Sequence, residues 1–414
     1  MSTRFVRPLL LILCSLLSVS AAAADPAFSL QLGRAEHVQS ISSGSGMVPY
    51  GNGYLVVGDD TPYLFTVDRH FSLRDQTLLK PYPMSYRRID KAIKPDYEAM
   101  ARFVHRGDDW VLILGSGSKK NVRETGFLLS ADQRVVIERS LAPLYQQLAT
   151  SGGLRGKQTL NVEGLAVAGD QVFFLNRGNS GPNLIFRADL GEVVAYMRGE
   201  REALSRIERY DVRLPVVQGF EATFSGADYW PQLDALVFSA SVEATGDAYA
   251  DGAVLGSYLG VVRLEQLRSG TINDLSDTLV RLRQKGRPLL TKVESVAITE
   301  SDARQAKGAL VSDNDDGSSV FFNFKLTLKR GASWRRTTAR PAPPAPGQGA
   351  ARLAQHRRGR RPTRWPRRLR RTRPPGAAGR APARRASAAR GTPDVRASAD
   401  PGAPKPGSTG SRRR

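Results

Sequence analysis

The stretch Asn161–Ala166, NVEGLA, decides the fold, because it belongs to a pattern that recurs along the chain. In this pattern a glutamate, a small residue and an apolar run are followed by a turn, a second apolar run and a polar ending. In this copy the second run is Val172–Leu175 and the polar ending is Asn176–Asn179. Short apolar runs bounded by turn residues are typical of β-strands.

Three further copies begin at Glu98, Glu221 and Glu294, and an upstream copy near Gly46 lacks the glutamate. The four glutamates are 58 to 73 residues apart, which leaves room for four short strands in each copy. A four-stranded unit cannot bury both of its faces alone, so neighbouring units must stack and the ring must close. We therefore predict an all-β fold, a β-propeller with five four-stranded blades. A six-bladed ring or an open sandwich is the alternative.

The two ends of the repeat region also predict how the ring closes. The last copy ends after its third strand, at residues 320–328, whereas the alternating segment 28–32 has no partner in the first copy. We expect segment 28–32 to supply the missing outer strand. Charges and leucines at helical spacing predict helical insertions around residues 138–150, 196–208 and 270–284.

The N-terminus has the pattern of a secretory signal peptide. Arg4 and Arg7 precede a short apolar core, and alanines 21–24 offer a cleavage site after Ala24. The single cysteine, Cys14, lies inside that core, so the mature chain would have neither a disulfide nor a thiol nucleophile. We expect residues 1–24 to be removed and a periplasmic or secreted protein to remain, with no membrane span after cleavage.

The composition changes abruptly after Arg330. Residues 331–414 contain 23 basic and two acidic side chains, so nearly all of the formal charge of +22 lies there and residues 25–330 are close to neutral. Arg, Ala, Pro and Gly dominate this tail, which has too few apolar residues for a core, so we expect it to be disordered. Three interpretations stay open: a basic arm, an inert linker, or the product of a frame shift in G+C-rich DNA. The neutral propeller domain, residues 25–330, predicts no specific nucleic-acid partner.

Residues at one repeat position of a propeller surround its central channel. We expect Glu98, Glu163, Glu221 and Glu294 to form such a ring. Close carboxylates repel one another unless a cation intervenes, and Ca²⁺ prefers such oxygen ligands. The basic residues Lys94, Arg123, Arg177 and Lys292 could balance the ring instead, or each glutamate could accept hydrogen bonds from the backbone between blades.

Polar residues at the ends of the second strands predict a second ring. Asp313 and Asp315 resemble part of a calcium loop and are candidate metal ligands, although the segment lacks the later glutamate of an EF-hand. Arg123, Arg177 and Asn176 are candidate anion-binding residues at the same mouth. We find no nucleophile elbow, phosphate loop or dinucleotide fingerprint, and the histidines are scattered singly.

The segments Lys94–Ala99, Asn161–Ala166, Leu175–Asn179 and Val311–Asp315 resemble a family of uncharacterised exported bacterial propellers. That family in turn is similar to the phytase-like, or esterase-like, propeller group. The resemblance covers about residues 28–328 and implies a propeller with acidic residues around its channel, with calcium-assisted ester hydrolysis as one activity.

Two functional hypotheses follow. In the first, a monomeric propeller binds a small-molecule or envelope ligand at the polar mouth of its channel, without catalysis. In the second, Ca²⁺ held by the glutamates and Asp313 assists hydrolysis of a phosphate or other anionic ester, and Arg123 and Arg177 hold the substrate. The residue pattern alone favours the first slightly.

Overall fold

A computed structural model describes residues 27–245, 252–313 and 317–329, together with the backbone of residues 340–341. The chain divides into two units, residues 1–345 and residues 346–414, and all described residues lie in the first unit. They fold into five four-stranded antiparallel blades, which confirms the predicted five-bladed β-propeller.

Each blade has four strands, ordered from the channel outward. Blade 1 contains Gly44–Tyr50, Gly53–Gly58, Tyr63–Asp68 and Leu73–Leu78. Blade 2 contains Tyr97–His105, Asp108–Gly115, Thr125–Ser130 and Val136–Ser140. Blade 3 contains Val162–Ala168, Gln171–Asn176, Asn183–Asp189 and Glu208–Arg213. Blade 4 contains Thr223–Trp230, Ala235–Glu243, Val254–Arg263 and Leu279–Arg281. Blade 5 contains Lys292–Ser301, Gln305–Asp313, Ser319–Leu328 and Phe28–Val38.

The ring closes in blade 5, as the sequence predicts. Its outer strand is the N-terminal strand Phe28–Val38, which pairs antiparallel with Ser319–Leu328, so that Phe28 faces Leu328 and Val38 faces Ser319. The innermost strands contact one another in the order of blades 1, 2, 3, 4, 5 and back to 1. The two ends of the propeller domain are thus held in one sheet.

The second strands form the core because each is covered by a neighbouring blade on both faces. Val111–Leu114 and Leu236–Phe238 are continuous apolar runs without exposed residues. Such runs differ from the alternating pattern of a strand with one solvated face. Phe224 and Phe238 meet edge to face at 5.1 Å between ring centroids, in the layer between blades 3 and 4.

The predicted helical insertions have three different outcomes. The helix Ala142–Ser151 confirms the first. The second prediction, 196–208, is largely wrong, because the helix in this region is Leu190–Met197 and overlaps the predicted range at two residues only. That helix begins where the Asp189 side chain accepts a hydrogen bond from the Glu192 backbone N–H at 2.8 Å. The prediction for 270–284 is wrong: Thr271–Asp274 is a strand that pairs parallel with Glu208–Arg213 and extends blade 3. This long-range pairing overrides the local helical pattern.

The remaining elements are short. Three two-stranded hairpins pair Met84–Ser85 with Arg88–Ile89, Val216–Val217 with Phe220–Glu221, and Arg283–Gln284 with Arg287–Pro288. Single 3₁₀ turns cover Gly178–Ser180, Pro231–Leu233, Leu264–Gln266 and Ser276–Thr278. A two-residue strand, Arg340–Pro341, pairs with Thr271–Ile272. No helix among the described residues is long and apolar enough to cross a bilayer.

The predicted signal peptide, residues 1–24, lies outside the described residues. The predicted disordered tail also lies outside the described residues, except for Arg340–Pro341. These two residues pair with a strand of the propeller, so the tail forms at least this one strand pairing. Both assignments therefore stay predictions.

Candidate functional site

A β-bulge at the start of each innermost strand places one extra residue at the channel. The pairing register shifts at equivalent points of all five blades, and the inserted residues are Ser45, Glu98, Glu163, Ser225 and Glu294. A bulge re-aims the side chain of its extra residue and is common beside functional sites. The fold therefore brings three of the four predicted glutamates to one structural position, with serines in blades 1 and 4.

The structure does not bring Glu221 to that position. Glu221 lies four residues before the bulge of blade 4, is exposed, and accepts a hydrogen bond from the Leu214 backbone N–H at 2.8 Å. The equivalent residue is Ser225, whose hydroxyl donates to the Val293 carbonyl at 2.6 Å. The segment that begins at Glu221 imitates the repeat, which is why the sequence pattern selected the wrong residue.

A second signal was present in the sequence. Ser45-Gly46, Glu163-Gly164 and Ser225-Gly226 share a glycine directly after the bulged residue. At Gly226 a Cβ atom would lie 2.6 Å from the Glu294 carbonyl oxygen, so a side chain there would collide with the neighbouring innermost strand. The glycine and the glutamate each mark three of the five bulges, and together they mark all five.

The first charged group at the channel, which we call the blade 1–2 cluster, consists of Asp59, Lys94, Asp96, Glu98 and Arg123. The Lys94 ammonium forms ion pairs with Asp59 and, at 2.9 Å, with Asp96. The Arg123 guanidinium donates to Asp96 at 2.8 Å. Within the described residues the carboxylate of Glu98, which is partly exposed, forms neither an ion pair nor a hydrogen bond.

Residues around the blade 1–2 cluster fix it in place. The hydroxyls of Ser116 and Ser118, at the end of the second strand of blade 2, donate to Asp96. Asp60, next to Asp59, accepts hydrogen bonds from Ser42 at 2.8 Å and from Ser43 at 3.2 Å and forms an ion pair with Arg88. The carboxylate of Asp96 is therefore bonded on several sides, whereas that of Glu98 has no such partner among the described residues.

The second group, which we call the blade 3–5 cluster, consists of Glu163, Arg177, Glu243, Lys292 and Glu294. The Arg177 guanidinium donates to both oxygens of Glu163, at 3.0 and 3.1 Å, and to Glu243 at 2.8 Å. Lys292 pairs with Glu294 at 2.7 Å and lies 3.7 Å from Glu243. Oε2 of Glu294 is buried and has no hydrogen-bond partner among the described residues.

The pKa values of these carboxyls are pushed apart by their surroundings. Burial raises the pKa of Glu294 to about 8 against the attraction of Lys292, and the nearby Glu163 carboxylate adds to the rise. Withdrawal from water, followed by repulsion from Glu163 and Asp96, raises the pKa of Glu98 well above its usual range. Burial alone would raise the pKa of Asp96, but the positive charges of Lys94 and Arg123 outweigh this effect and lower the pKa. Protonated and ionised carboxyls are therefore expected side by side at neutral pH.

One set of oxygens fits a metal ion. Carboxylate oxygens of Asp59, Asp96 and Glu98 lie within 4.8 Å of one another, and Oδ1 of Asp59 is buried without a hydrogen-bond partner in the described part of the chain. An all-carboxylate donor set suits a hard cation such as Ca²⁺ or Mg²⁺. The Lys94 ammonium already forms ion pairs with two of the three carboxylates, so a metal ion would have to share or displace it.

This metal set differs from the predicted one. Of the predicted ligands, Glu98 belongs to it, Glu163 and Glu294 lie in the blade 3–5 cluster, and Glu221 lies outside both clusters. Asp313 is buried at the end of the second strand of blade 5, opposite Lys292 in the pairing register. Asp315 lies outside the described residues. Sequence reasoning missed Asp96, which no repeat pattern marked.

The three predicted anion-binding residues have other partners. Arg123 and Arg177 are buried against carboxylates of the two clusters. The Asn176 amide oxygen accepts from the Asn161 backbone N–H at 2.8 Å, and its nitrogen donates to the Pro182 carbonyl at 3.0 Å. An anion at these three residues would have to compete with their internal partners.

The fold and the channel define a class: a five-bladed β-propeller with an acidic, ion-paired central channel. The chain belongs to a family of unknown function, DUF6929, whose family model matches residues 40–326. No curated protein matches the chain.

Among solved structures, a glutaminyl cyclase of Myxococcus xanthus is similar at 10% identity and a TM-score of 0.35, over 74% of this chain and 100% of that one. An arabinanase of Bacillus subtilis is similar at 11% identity and a TM-score of 0.37, over 70% of this chain and 96% of that one. Similarity this low says nothing about activity, so the functional proposal rests on the site.

Proposed function

We propose that this protein is a binding propeller that captures a positively charged ligand at the mouth of its central channel. The main support for this function comes from the surroundings of the Glu98 carboxyl group. It is partly exposed, it lies beside Asp59 and Asp96, and it has no ion-pair partner among the described residues. A carboxylate in such surroundings gains more from a cationic ligand than from any other.

The charge balance of the two clusters supports a cation rather than an anion. Each cluster has three carboxyl groups against two basic side chains, so each has one carboxyl in excess. The two carboxyls with the most strongly raised pKa, Glu98 and Glu294, are those that the basic residues balance least. We expect them to hold protons in the free protein and to release a proton when a cation binds.

Calorimetric titration of the mature chain with CaCl₂, MgCl₂, spermidine and sodium phosphate tests the proposal. We expect a cation to bind and phosphate not to bind. Glu98→Gln should weaken cation binding by about tenfold or more, since a hydrogen bond to a charged group contributes about 1.5–3 kcal/mol. Glu200→Gln is the matched control, because Glu200 is an exposed glutamate that follows the helix Leu190–Met197, outside both clusters and away from the mouth. Equal affinities of the Glu98→Gln variant and the parent, or tighter binding of phosphate, would contradict the proposal.

A second candidate function is metal-assisted ester hydrolysis, favoured by the close oxygens of Asp59, Asp96 and Glu98. These residues would hold Ca²⁺, which would polarise a phosphoryl or acyl oxygen and activate water. Melting curves with calcium and with a chelator, together with a screen of generic phosphate and acetate esters, test it. A melting curve that ignores calcium, with no turnover of any ester, removes this candidate and leaves the binding function.

The cellular setting is part of the same proposal. Export through residues 1–24 would place the channel in the periplasm or outside the cell, where a small-molecule or envelope ligand would meet it. Cell fractionation with an antibody against the propeller checks this expectation, as does N-terminal sequencing of the mature chain. A cytoplasmic protein that retains Met1 would contradict it.

A further inference from the structure

Three short hairpins surround the mouth that contains the charged clusters. They are Met84–Ile89, Val216–Glu221 and Arg283–Pro288, and each precedes the innermost strand of the next blade, in blades 2, 4 and 5. Glu98, Glu163 and Glu294 lie at the beginning of innermost strands, at the end of the propeller from which the hairpins extend. Because blades 2 and 4 are not neighbours, the hairpins lie on different sides of the mouth.

The first hairpin is attached to the blade 1–2 cluster. Arg88 forms an ion pair with Asp60, and the Ile89 backbone N–H donates to the Asp60 carbonyl at 2.7 Å. These contacts hold Met84 and Tyr86 beside the mouth.

The hairpin turns are tight and defined. Both central residues of each turn have positive φ: 49° and 70° at Tyr86 and Arg87, 53° and 88° at Gln218 and Gly219, and 50° and 78° at Lys285 and Gly286. This is the conformation of the two-residue turn that matches strand twist. A bulky residue such as Tyr86 is uncommon at positive φ, and here the geometry of the two-residue turn imposes that conformation.

Exposed large apolar side chains collect on this rim. Tyr86 is 97% exposed and Val216 is 61% exposed, and Met84, Ile93 and Leu290, in or beside the hairpins, are exposed as well. Leaving such side chains in water contributes nothing to folding, whereas a partner could bury them. The hairpins also carry basic residues, among them Arg87, Arg283 and Lys285. The mouth therefore combines an acidic centre with a rim on which apolar side chains alternate with basic ones.

We propose that the ligand is an extended polypeptide segment in which a lysine or arginine is flanked by apolar side chains. The basic side chain enters the mouth beside Glu98, and the apolar neighbours pack on Tyr86 and Val216. This proposal rests on the proposed binding function and adds the chemical class of the ligand. An extended chain is favoured over a small molecule because it can reach hairpins on different sides of the mouth.

Fluorescence anisotropy on the mature chain, with labelled blocked peptides, tests the proposal. The first peptide is Gly-Ser-Leu-Val-Arg-Val-Leu-Ser-Gly. The second replaces its four apolar residues by serine, and the third replaces its arginine by glutamate. We expect the first peptide to bind at least about tenfold tighter than the second, and the third not to bind. Tyr86→Ser and Val216→Ser should reduce binding of the first peptide toward that of the second.

Val104→Ser is the matched control. Val104 is 66% exposed, close to the 61% of Val216, but it lies at the far end of the innermost strand of blade 2. This variant should bind all three peptides as the parent does. A thermal melt of each variant separates loss of the fold from loss of binding.

Each other outcome has a definite meaning. The inference about the peptide is overturned by equal binding of the first and second peptides, by no binding of the first, or by an equal loss of binding in Val104→Ser. In each of these cases the cation titration decides the binding function separately. Equal binding of the first and third peptides overturns both. Self-association that depends on Tyr86, measured by sedimentation, would assign the rim to a second copy of the chain. Binding to phosphatidylcholine vesicles that depends on Tyr86 would assign it to a membrane. Either result would also overturn the inference.

Discussion

Replacing Glu294 by glutamine should change how the stability of the propeller depends on pH. In the folded chain burial raises the pKa of Glu294 to about 8, from an ordinary value of 4.5. Between these two values the folded state keeps a proton that the unfolded state releases. The stability contribution is therefore fully present below pH 4.5 and is lost as the pH rises toward 8.

The size of the effect follows from the linkage relation. One proton of difference lowers the free energy of unfolding by about 1.4 kcal/mol for each pH unit, which corresponds to roughly 2–4 °C in Tm for a domain of this size. The side-chain amide of the Glu294→Gln variant cannot ionise, so this part of the slope disappears. Relative to the parent, the variant should gain on the order of 3 kcal/mol between pH 5.5 and pH 7.5.

Urea unfolding at pH 5.5, 6.5 and 7.5 measures this difference. Glu200→Gln is again the control, and its stability should run parallel to that of the parent because the exposed Glu200 side chain forms no ion pair or hydrogen bond within the described residues. If the curves of Glu294→Gln and the parent run parallel as well, Glu294 is ionised in the folded protein throughout this range. The raised pKa of the buried carboxyl would then be refuted.

Three further predictions concern closure, the resident lysine and the tail. Phe28→Ala should lower the free energy of unfolding by about 3–5 kcal/mol, because Phe28 is buried in the closing blade with its ring centroid 6.0 Å from that of Trp230. Arg34→Ala, at an exposed position of the same strand, should leave the free energy of unfolding unchanged. Equal urea midpoints of the two variants would contradict the closure. Lys94→Met should lower the Tm in chelator and make it rise with calcium, since Asp59 and Asp96 lose the ammonium that pairs with them, and a calcium-independent Tm would contradict this. Deletion of residues 331–414 should leave the Tm nearly unchanged, since it removes only the two-residue strand Arg340–Pro341 from the described propeller, and it should abolish salt-dependent retention on heparin; a clearly lower Tm would show that the domain boundary is wrong.

The sequence predicted the architecture because a propeller repeats its pattern. Five apolar second strands at regular spacing indicated five blades, and the unpaired segment 28–32 indicated the closure that the structure confirms. The helix at 142–151 has a local pattern and was predicted, whereas Thr271–Asp274 is a strand only because it pairs with a segment about 60 residues earlier. The local sequence of a segment does not reveal which distant strand it will pair with.

The site was predicted only in part, for a related reason. Three glutamates of the ring were identified because they recur at one position of the repeat, and Glu221 was included because its neighbours imitate that repeat. Asp96 was missed because its importance comes from Lys94, Arg123 and two serines that the fold gathers around it. Which carboxyl keeps a proton depends on this three-dimensional balance of charges, and spacing along the chain does not reveal it.

The central claim is that a cation replaces a proton in the acidic channel, and calorimetry in two buffers tests it most directly. Titrating the mature chain with CaCl₂ and with spermidine at pH 6.5, in buffers of different ionisation enthalpy, gives the number of protons released for each ligand bound. We predict release of about one proton by the parent and by Glu200→Gln, and nearly none by Glu98→Gln. Absence of binding by both cations, or binding without any proton release by the parent, would contradict the claim.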